Sequence, residues 1–460
     1  MYNPIQLTDT LLALCKDRGE SLLLSGENAF RYLYIERDLH FPIEYYVIAR
    51  NADSFLDEFT KILAGISCQR NYDGSLYGYD NDELLFSLIT VSSDNPSAAV
   101  DDVCISQDVF EELQPSKINL ESLFLIPQGG EYRVLDPFNV AEDLENKKLR
   151  MLNAPDQTDT DQTILKLMDY RIRYGYDLPD LLFEEAEDGA FIYHGRCKRE
   201  FREVLFNALS KEKPSVYLIE LLKLGLYSSY FPQLNLLVGV EQMKEYNHKD
   251  VFYHTCQVID NIAPLTDNVW LRFAALVHDI AKPGTKKFIE NAGWTFHGHE
   301  VAGARMLKII FIQLGLSQEN LKYVRLLVKF HLRPIALAKK GVTDSAVRRL
   351  MTEMGEYVED LITLCRADIT SKNLVKVKTY LKNYDLVIER IQEVREKDKL
   401  RAFRPPVDGE EIMKVCNLKP SRQVGIIKKE IEEAILTGKI ENTYEASFAL
   451  LLRLKEKYGL

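Results

Sequence analysis

Over roughly the first 140 residues, short apolar runs alternate with turn-forming residues. "SLLLSG", "PIEYYVIA", "ELLFSLITV" and "SLFLIP" are bounded by Gly, Asn, Asp or Pro, which predicts strands in an α/β domain. From "NVAEDLENKKLRML" onward strand signals nearly vanish and the pattern turns helical. Leu218, Leu221 and Leu222 recur at i, i+3 and i+4 in "VYLIELLKLGLYSSYFP", and Gly225 is the expected stop. The polar stretch "EQMKEYNHKD" separates two helical blocks, and "FRPPVDG" at 403–409 is a turn before a final amphipathic set that reaches Leu460. The expected class is α+β, divided into an α/β head (1–140), a helical neck (141–240), a helical domain (241–375) and a helical tail (376–460). There is no internal repeat and no low-complexity tract.

Composition bounds this picture without sharpening it. With 460 residues, 46% hydrophobic and 28% charged, the chain is globular and long enough for about three domains. No apolar run has the length of a membrane span, and "MYNPIQLTDTLLALCKDRGE" lacks a basic start and a small-residue cleavage site, so a cytoplasmic protein without a membrane partner is expected. Seven scattered cysteines form no C-x-x-C pair, which argues against a disulfide framework or a zinc knuckle. Of the net charge of −11, residues 1–160 carry −16, leaving +5 for the rest. Only the second part is suited to a polyanion, through local patches. The candidates are Arg196, Lys198, Arg199 and Arg202 in "HGRCKREFRE", and Lys419, Arg422, Lys428 and Lys429 in "LKPSRQVGIIKKE". Charge runs of this size are also ordinary solvated faces.

The histidines change the picture more. Five of eight lie between 254 and 331: His254, His278, His297, His299 and His331. With Asp279 and Asp368 they follow the order H, HD, H, H, H, D, each on or near a predicted helix. His278 and Asp279 stand side by side at the end of the apolar run "LRFAALVHDIAK". A carboxylate buried there must pair, find hydrogen bonds or hold a cation. Imidazoles and carboxylates converging from several helices are a recurrent way to bind a divalent ion.

This constellation resembles the HD metal-dependent phosphohydrolase superfamily. The resemblance implies His254, His278, Asp279 and Asp368 as primary ligands, and His299 and His331 as further histidines permitting a second ion. His297 is the weaker candidate, because the "H-E-x-A-G" pattern falls on "HEVAG" at 299. Asp279 would bridge two ions, and Lys282 would direct its ammonium to a phosphate, making these two the catalytic candidates. The implied cofactor is one or two ions of Mn, Mg, Fe or Ni, and the substrate a nucleotide or RNA phosphate end such as a 2',3'-cyclic phosphate or 2'-phosphate.

The flanks are similar to bacterial CCA-adding tRNA nucleotidyltransferases and poly(A) polymerases that carry an HD domain, over about residues 136–460. "YRIRYGYDL", "YNHKDVFYHT", "FHGHEVAGARM" and "PPVDGEEIMKVCNLKPSRQVGIIKKE" carry the likeness, which implies tRNA as a partner. The head departs from that family. Its D-I-D-L falls on Pro42, Ile43, Glu44 and Tyr45; Gly26 survives without a second glycine; R-R-D-F-T-I-N is reduced to Ile118 and Asn119; and E-D-x-x-R falls on "DTDQT". A degenerate nucleotidyltransferase-like head without transfer activity is therefore expected, with Glu44, Asp80 and Asp82 as remaining acids. An active CCA-adding enzyme and a non-catalytic tRNA-binding protein are the alternatives.

Overall fold

The computed structural model describes residues 4–18, 21–35, 42–49, 51–63, 66–70, 75–80, 83–92, 117–128, 131–153, 159–244, 247–290, 293–338, 342–371, 373–402 and 405–460. Asp82 and Cys104, with the first four residues of "LQPSKIN", lie outside them. The chain divides into two compact units, Met1–His331 with Thr363–Thr370, and Leu332–Ile362 with Ser371–Leu460.

The first unit begins with α1 (Pro4–Arg18), β1 (Ser21–Ser25), α2 (Gly26–Tyr34), β2 (Ile43–Ala49) and α3 (Ala52–Ile62). There follow β3 (Ser67–Arg70), β4 (Leu76–Asp80), β5 (Glu83–Ser92), β6 (Phe124–Gln128) and β7 (Glu131–Leu135). These strands form one sheet in the order β3-β4-β5-β2-β1-β6-β7. Only β2 and β5 pair in parallel, and the other neighbours are antiparallel. The four expected runs are β1, β2, β5 and β6. Four consecutive buried residues in β1 show that both its faces are covered, as expected of an unbroken Leu run. Leu23, Ile48, Val91, Phe124 and Leu135 make a core on one face. In β4 a Cβ at Gly78 would lie 2.1 Å from the Phe86 ring of β5, so only glycine fits at that pairing.

Helices take over as expected. α4 (Thr160–Tyr174), α5 (Lys198–Ser210) and α6 (Pro214–Lys223) lead to α7 (Val251–Ile262), α8 (Val269–Val277), α9 (His299–Gln313) and α10 (Leu321–Phe330). Gly225, at φ 75°, supplies the left-handed residue just past α6. Two short hairpins interrupt the helices: β8 (Glu241–Lys244) with β9 (Asn247–Asp250), and β10 (Lys287–Ile289) with β11 (Gly293–Thr295). The first occupies the stretch expected to be a polar connector; its strands are too short and polar to carry a strand signal.

The second unit contains α11 (Asp344–Met354), the long α13 (Leu374–Ala402) and three final helices, α14 (Gly409–Cys416), α15 (Arg422–Leu436) and α16 (Tyr444–Lys457); α12 (Val358–Ala367) crosses the division of the chain. Asp408, at the end of the expected turn, caps α14 by accepting from Glu411 N at 2.9 Å. Ile412, Ile427, Ile431 and Leu451 form the core of the last three helices. Among the described residues no helix is long and apolar enough to cross a membrane.

Candidate metal centre

His254, His278, His299 and His331 are each delivered by a helix or a helix end and locked by a hydrogen bond on the outer nitrogen. Asp250 starts α7 by accepting from Phe252 N and Tyr253 N at 2.8 and 3.2 Å, which sets His254 one turn in. His278 and His331 stand just past the C-termini of α8 and α10, where the last carbonyls lack intrahelical donors. Their Nδ1 atoms take up those carbonyls, Ala275 O and Val328 O, each at 2.7 Å. His299 opens α9 after Gly298, whose φ of 82° turns the chain, and its Nδ1 meets Phe296 O at 2.7 Å. His254 Nδ1 lies 3.0 Å from Thr370 Oγ1. A carbonyl only accepts, so Nδ1 carries the proton on His278, His299 and His331, and in the neutral ring Nε2 presents its lone pair inward.

Asp279 sits at the focus with one oxygen toward each group. Oδ2 faces His278 Nε2 at 3.1 Å, His254 Nε2 at 3.5 Å and Lys282 Nζ at 2.5 Å. Oδ1 faces His299 Nε2 at 3.1 Å and His331 Nε2 at 3.9 Å. Asp368 Oδ1 completes the first side, 3.0 Å from His254 Nε2 and 3.6 Å from His278 Nε2. Among the described residues two groups have donor atoms close enough to hold an ion: His254, His278 and Asp368, and Asp279, His299 and His331.

These donors fit a cation better than they fit one another. His299 Nε2 and His331 Nε2 are 3.3 Å apart with both lone pairs inward, an arrangement that repels unless a proton or a metal lies between them. The buried His278 Nε2 has no well-directed hydrogen bond despite two nearby carboxylates. Ligand atoms about 2.1 Å from one ion lie about 3.0–4.2 Å from each other, and the spacings above fall in that window.

The electrostatics agree. Burial would lower the His278 pKa, but Asp279 and Asp368 override it and raise it to about 10. Burial and then the charge of His278 push His331 down to about 4. Burial also opposes ionisation of Asp279, yet His278 and Lys282 outweigh it and hold its carboxyl well below the usual range. For Asp368, the neighbouring His254 and His278 imidazoles do the same against burial. In the metal-free state, protons and Lys282 supply the charge that this site demands.

Tight backbone contacts keep the geometry. Asn261 Nδ2 on α7 donates to Ala367 O at 2.8 Å, next to Asp368. A Cβ at Gly303 on α9 would meet Val328 Cγ1 at 3.2 Å and Ile280 Cγ2 at 3.5 Å, so its absence lets His299 approach both Asp279 and His331.

The HD domain family matches residues 251–373. The chain is 30% identical to the "CC-adding tRNA nucleotidyltransferase" of Thermus thermophilus over 258 residues, 55% of this chain and 56% of that relative. It is 26% identical to the "A-adding tRNA nucleotidyltransferase" of Deinococcus radiodurans, covering 68% of this chain and 73% of that one. The chain carries an HD-domain match and is similar to CCA-adding tRNA nucleotidyltransferases. Its fold follows theirs: a Thermotoga maritima CCA-adding enzyme complexed with tRNA aligns over 98% of this chain and 96% of that chain, with a TM-score of 0.52 and 12% identity.

The six candidate ligands thus converge within the HD domain, all in the first compact unit. His297 is exposed beside buried His299. Lys282 is buried against Asp279. In the basic candidates of the first unit, Arg199 pairs with Glu203 at 2.9 Å and Arg202 donates to Gly315 O at 2.6 Å, while Arg196 and Lys198 are exposed. In the second unit Lys419, Arg422 and Lys429 are exposed and Lys428 is half-buried.

The head places Glu44 on β2 opposite Ser25, beside Gly26. Its neighbours went unnoticed in the sequence. Glu121 is buried, pairs with Lys166 of α4 at 2.5 Å and accepts from the Tyr170 hydroxyl. Burial and then the charge of Glu121 push the Glu44 carboxyl up, against the pull of Lys166. Of the surviving motif residues, Asn119 is buried and braces the chain, donating to Lys148 O and accepting from Arg150 N, each at 3.0 Å. Asp80 ends β4, and no group of metal-type donors forms around it among the described residues.

Proposed function

We propose that the HD domain is a divalent-metal phosphohydrolase centre acting on a nucleotide or RNA phosphate end, and that the head has lost nucleotidyl transfer. The sharing of Asp279 between two donor groups carries the reading. His254, His278 and Asp368 would hold one ion with Asp279 Oδ2, and His299 and His331 a second with Oδ1. Imidazole and carboxylate donors suit Mn, Mg, Fe or Ni. Bound ions would supply an activated water and neutralise phosphoryl oxygens. The chain's own residues do the rest: the carbonyls of Ala275, Phe296 and Val328 fix the imidazole tautomers, and the Lys282 ammonium supplies a positive charge to a phosphate oxygen.

Two observations support loss of transfer. Pro42 stands where a metal-binding acid is needed and has no side-chain donor, and Lys166 already supplies a cation to Glu121 and Glu44. The activities named for the relatives favour the alternative, nucleotide addition to tRNA, with the exposed arginines and lysines following the RNA backbone. Both readings are tested on metal-reconstituted protein. Hydrolysis of 2',3'-cyclic AMP without extension of a tRNA lacking its terminal CCA supports the proposal; extension without hydrolysis overturns it.

A further inference from the structure

Between Lys282 and His299 the chain makes the β10–β11 hairpin, which exposes an aromatic pair. Phe288 and Trp294 are cross-strand partners on one face, with ring centroids 5.4 Å apart and 65% and 38% exposed. Strands this short form a ribbon of marginal stability, and leaving two large aromatic rings in water adds nothing to it. The hairpin itself is cationic: Lys286 Nζ lies 4.6 Å from the Trp294 ring centroid and Lys287 is exposed, against exposed Glu290 in the turn.

The hairpin is tied to the metal centre at its exit. Phe296, one residue past β11, offers its carbonyl to His299 Nδ1 at 2.7 Å, and its ring centroid lies 5.6 Å from Lys282 Nζ. An aromatic face with neighbouring ammonium groups is the combination that binds an unpaired base next to its phosphate. We propose that Phe288 and Trp294 form a stacking platform for the nucleobase of a substrate whose phosphate reaches the HD centre. This rests on the phosphohydrolase reading and narrows its substrate class to nucleotides with an unpaired base.

Two measurements separate the platform from the chemistry. In a Trp270→Phe protein treated with chelator, Trp294 is the only tryptophan, and a single-stranded adenosine trinucleotide should quench its fluorescence saturably. Phe288→Ala should weaken this binding about 5- to 150-fold, the range for one stacked base, and Phe288→Tyr should retain it. In the metal-loaded protein, Phe288→Ala should raise KM for 2',3'-cyclic AMP by a similar factor with kcat unchanged, and leave turnover of ribose 5-phosphate alone. Wild-type protein that hydrolyses neither phosphate overturns the enzymatic reading, while quenching still tests the platform. Hydrolysis with unchanged KM in Phe288→Ala and no quenching overturns the platform alone. Self-association lost in Phe288→Ala, without quenching, would assign this face to a second copy and likewise overturn it.

Discussion

Replacing Asp279 by Asn keeps the shape of the side chain and removes what two donor groups share. The amide has one oxygen, so it can serve His254 and His278 or His299 and His331, but not both. Bound metal should therefore fall by at least one ion per chain, and phosphohydrolase turnover should fall at least 100-fold, beyond the about 10–100-fold typical of lost outer-shell partners. The metal-free protein is affected as well. Asp279 is 1% exposed and lies 2.5 Å from the Lys282 ammonium, a contact of about 7 kcal/mol at an effective dielectric near 20. Much of this offsets desolvation, and stranding one partner of a buried pair costs about 3–5 kcal/mol. Asp279→Asn should lower the Tm of chelator-treated protein by several degrees, and adding Lys282→Met should restore most of it by removing the stranded charge. Metal analysis, calorimetry and turnover on the single and double variants complete the test. Unchanged metal content in Asp279→Asn, or a double variant less stable than the single one, would refute the shared-carboxylate geometry.

Two further substitutions probe the second side of the centre. His331→Ala leaves His254, His278, Asp279 and Asp368 in place, so one ion should remain while stoichiometry falls and turnover drops; elemental analysis decides this, and unchanged stoichiometry with wild-type turnover would make the site mononuclear. Gly303→Ala inserts a methyl 3.2 Å from Val328 Cγ1, which should cost about 1–3 kcal/mol in a melt and weaken metal binding at the His299 side roughly 10-fold by titration calorimetry.

The candidate donors were legible because imidazole and carboxylate are rare in apolar helices, and their order along the chain singled them out without any knowledge of packing. What held them was not legible. Ala275, Phe296 and Val328 act through backbone carbonyls, which every residue has; only the position of each histidine three residues on, at a helix end, marks them. The strands β3, β4 and β7 and both later hairpins are short, and their hydrogen bonds need no apolar period. The Phe288–Trp294 pair hid for the same reason, since alternation over three residues carries no signal. In the head, loss of one motif acid at Pro42 and lengthening of the other at Glu44 were visible, but the arrival of Lys166 from α4, more than a hundred residues downstream, requires the fold.

Lysine–carboxylate pairs at two places set up opposite outcomes, and the difference lies in the donors around them. At the HD centre the Lys282 ammonium meets one oxygen of Asp279, while three imidazole lone pairs fixed by backbone carbonyls, and the nitrogen of His254, stand ready around the same carboxylate. A divalent ion there would collect several ligands at once and outcompete a single ammonium. Around Glu44 the neighbours are Glu121, Lys166 and the Tyr46 hydroxyl, and neither group of metal-type donors found among the described residues lies in the head. An ion arriving there would have to displace Lys166 from Glu121 and leave that ammonium stranded, with Pro42 adding no ligand. Metal should therefore load the HD centre alone. Glu44→Gln should leave metal stoichiometry and phosphate hydrolysis at wild-type levels, and wild-type protein given CTP, ATP, Mg²⁺ and a tRNA lacking CCA should extend nothing. Loss of a bound ion in Glu44→Gln, together with tRNA extension by the wild type, would show that the head still assembles a metal site and that Lys166 moves aside to allow it.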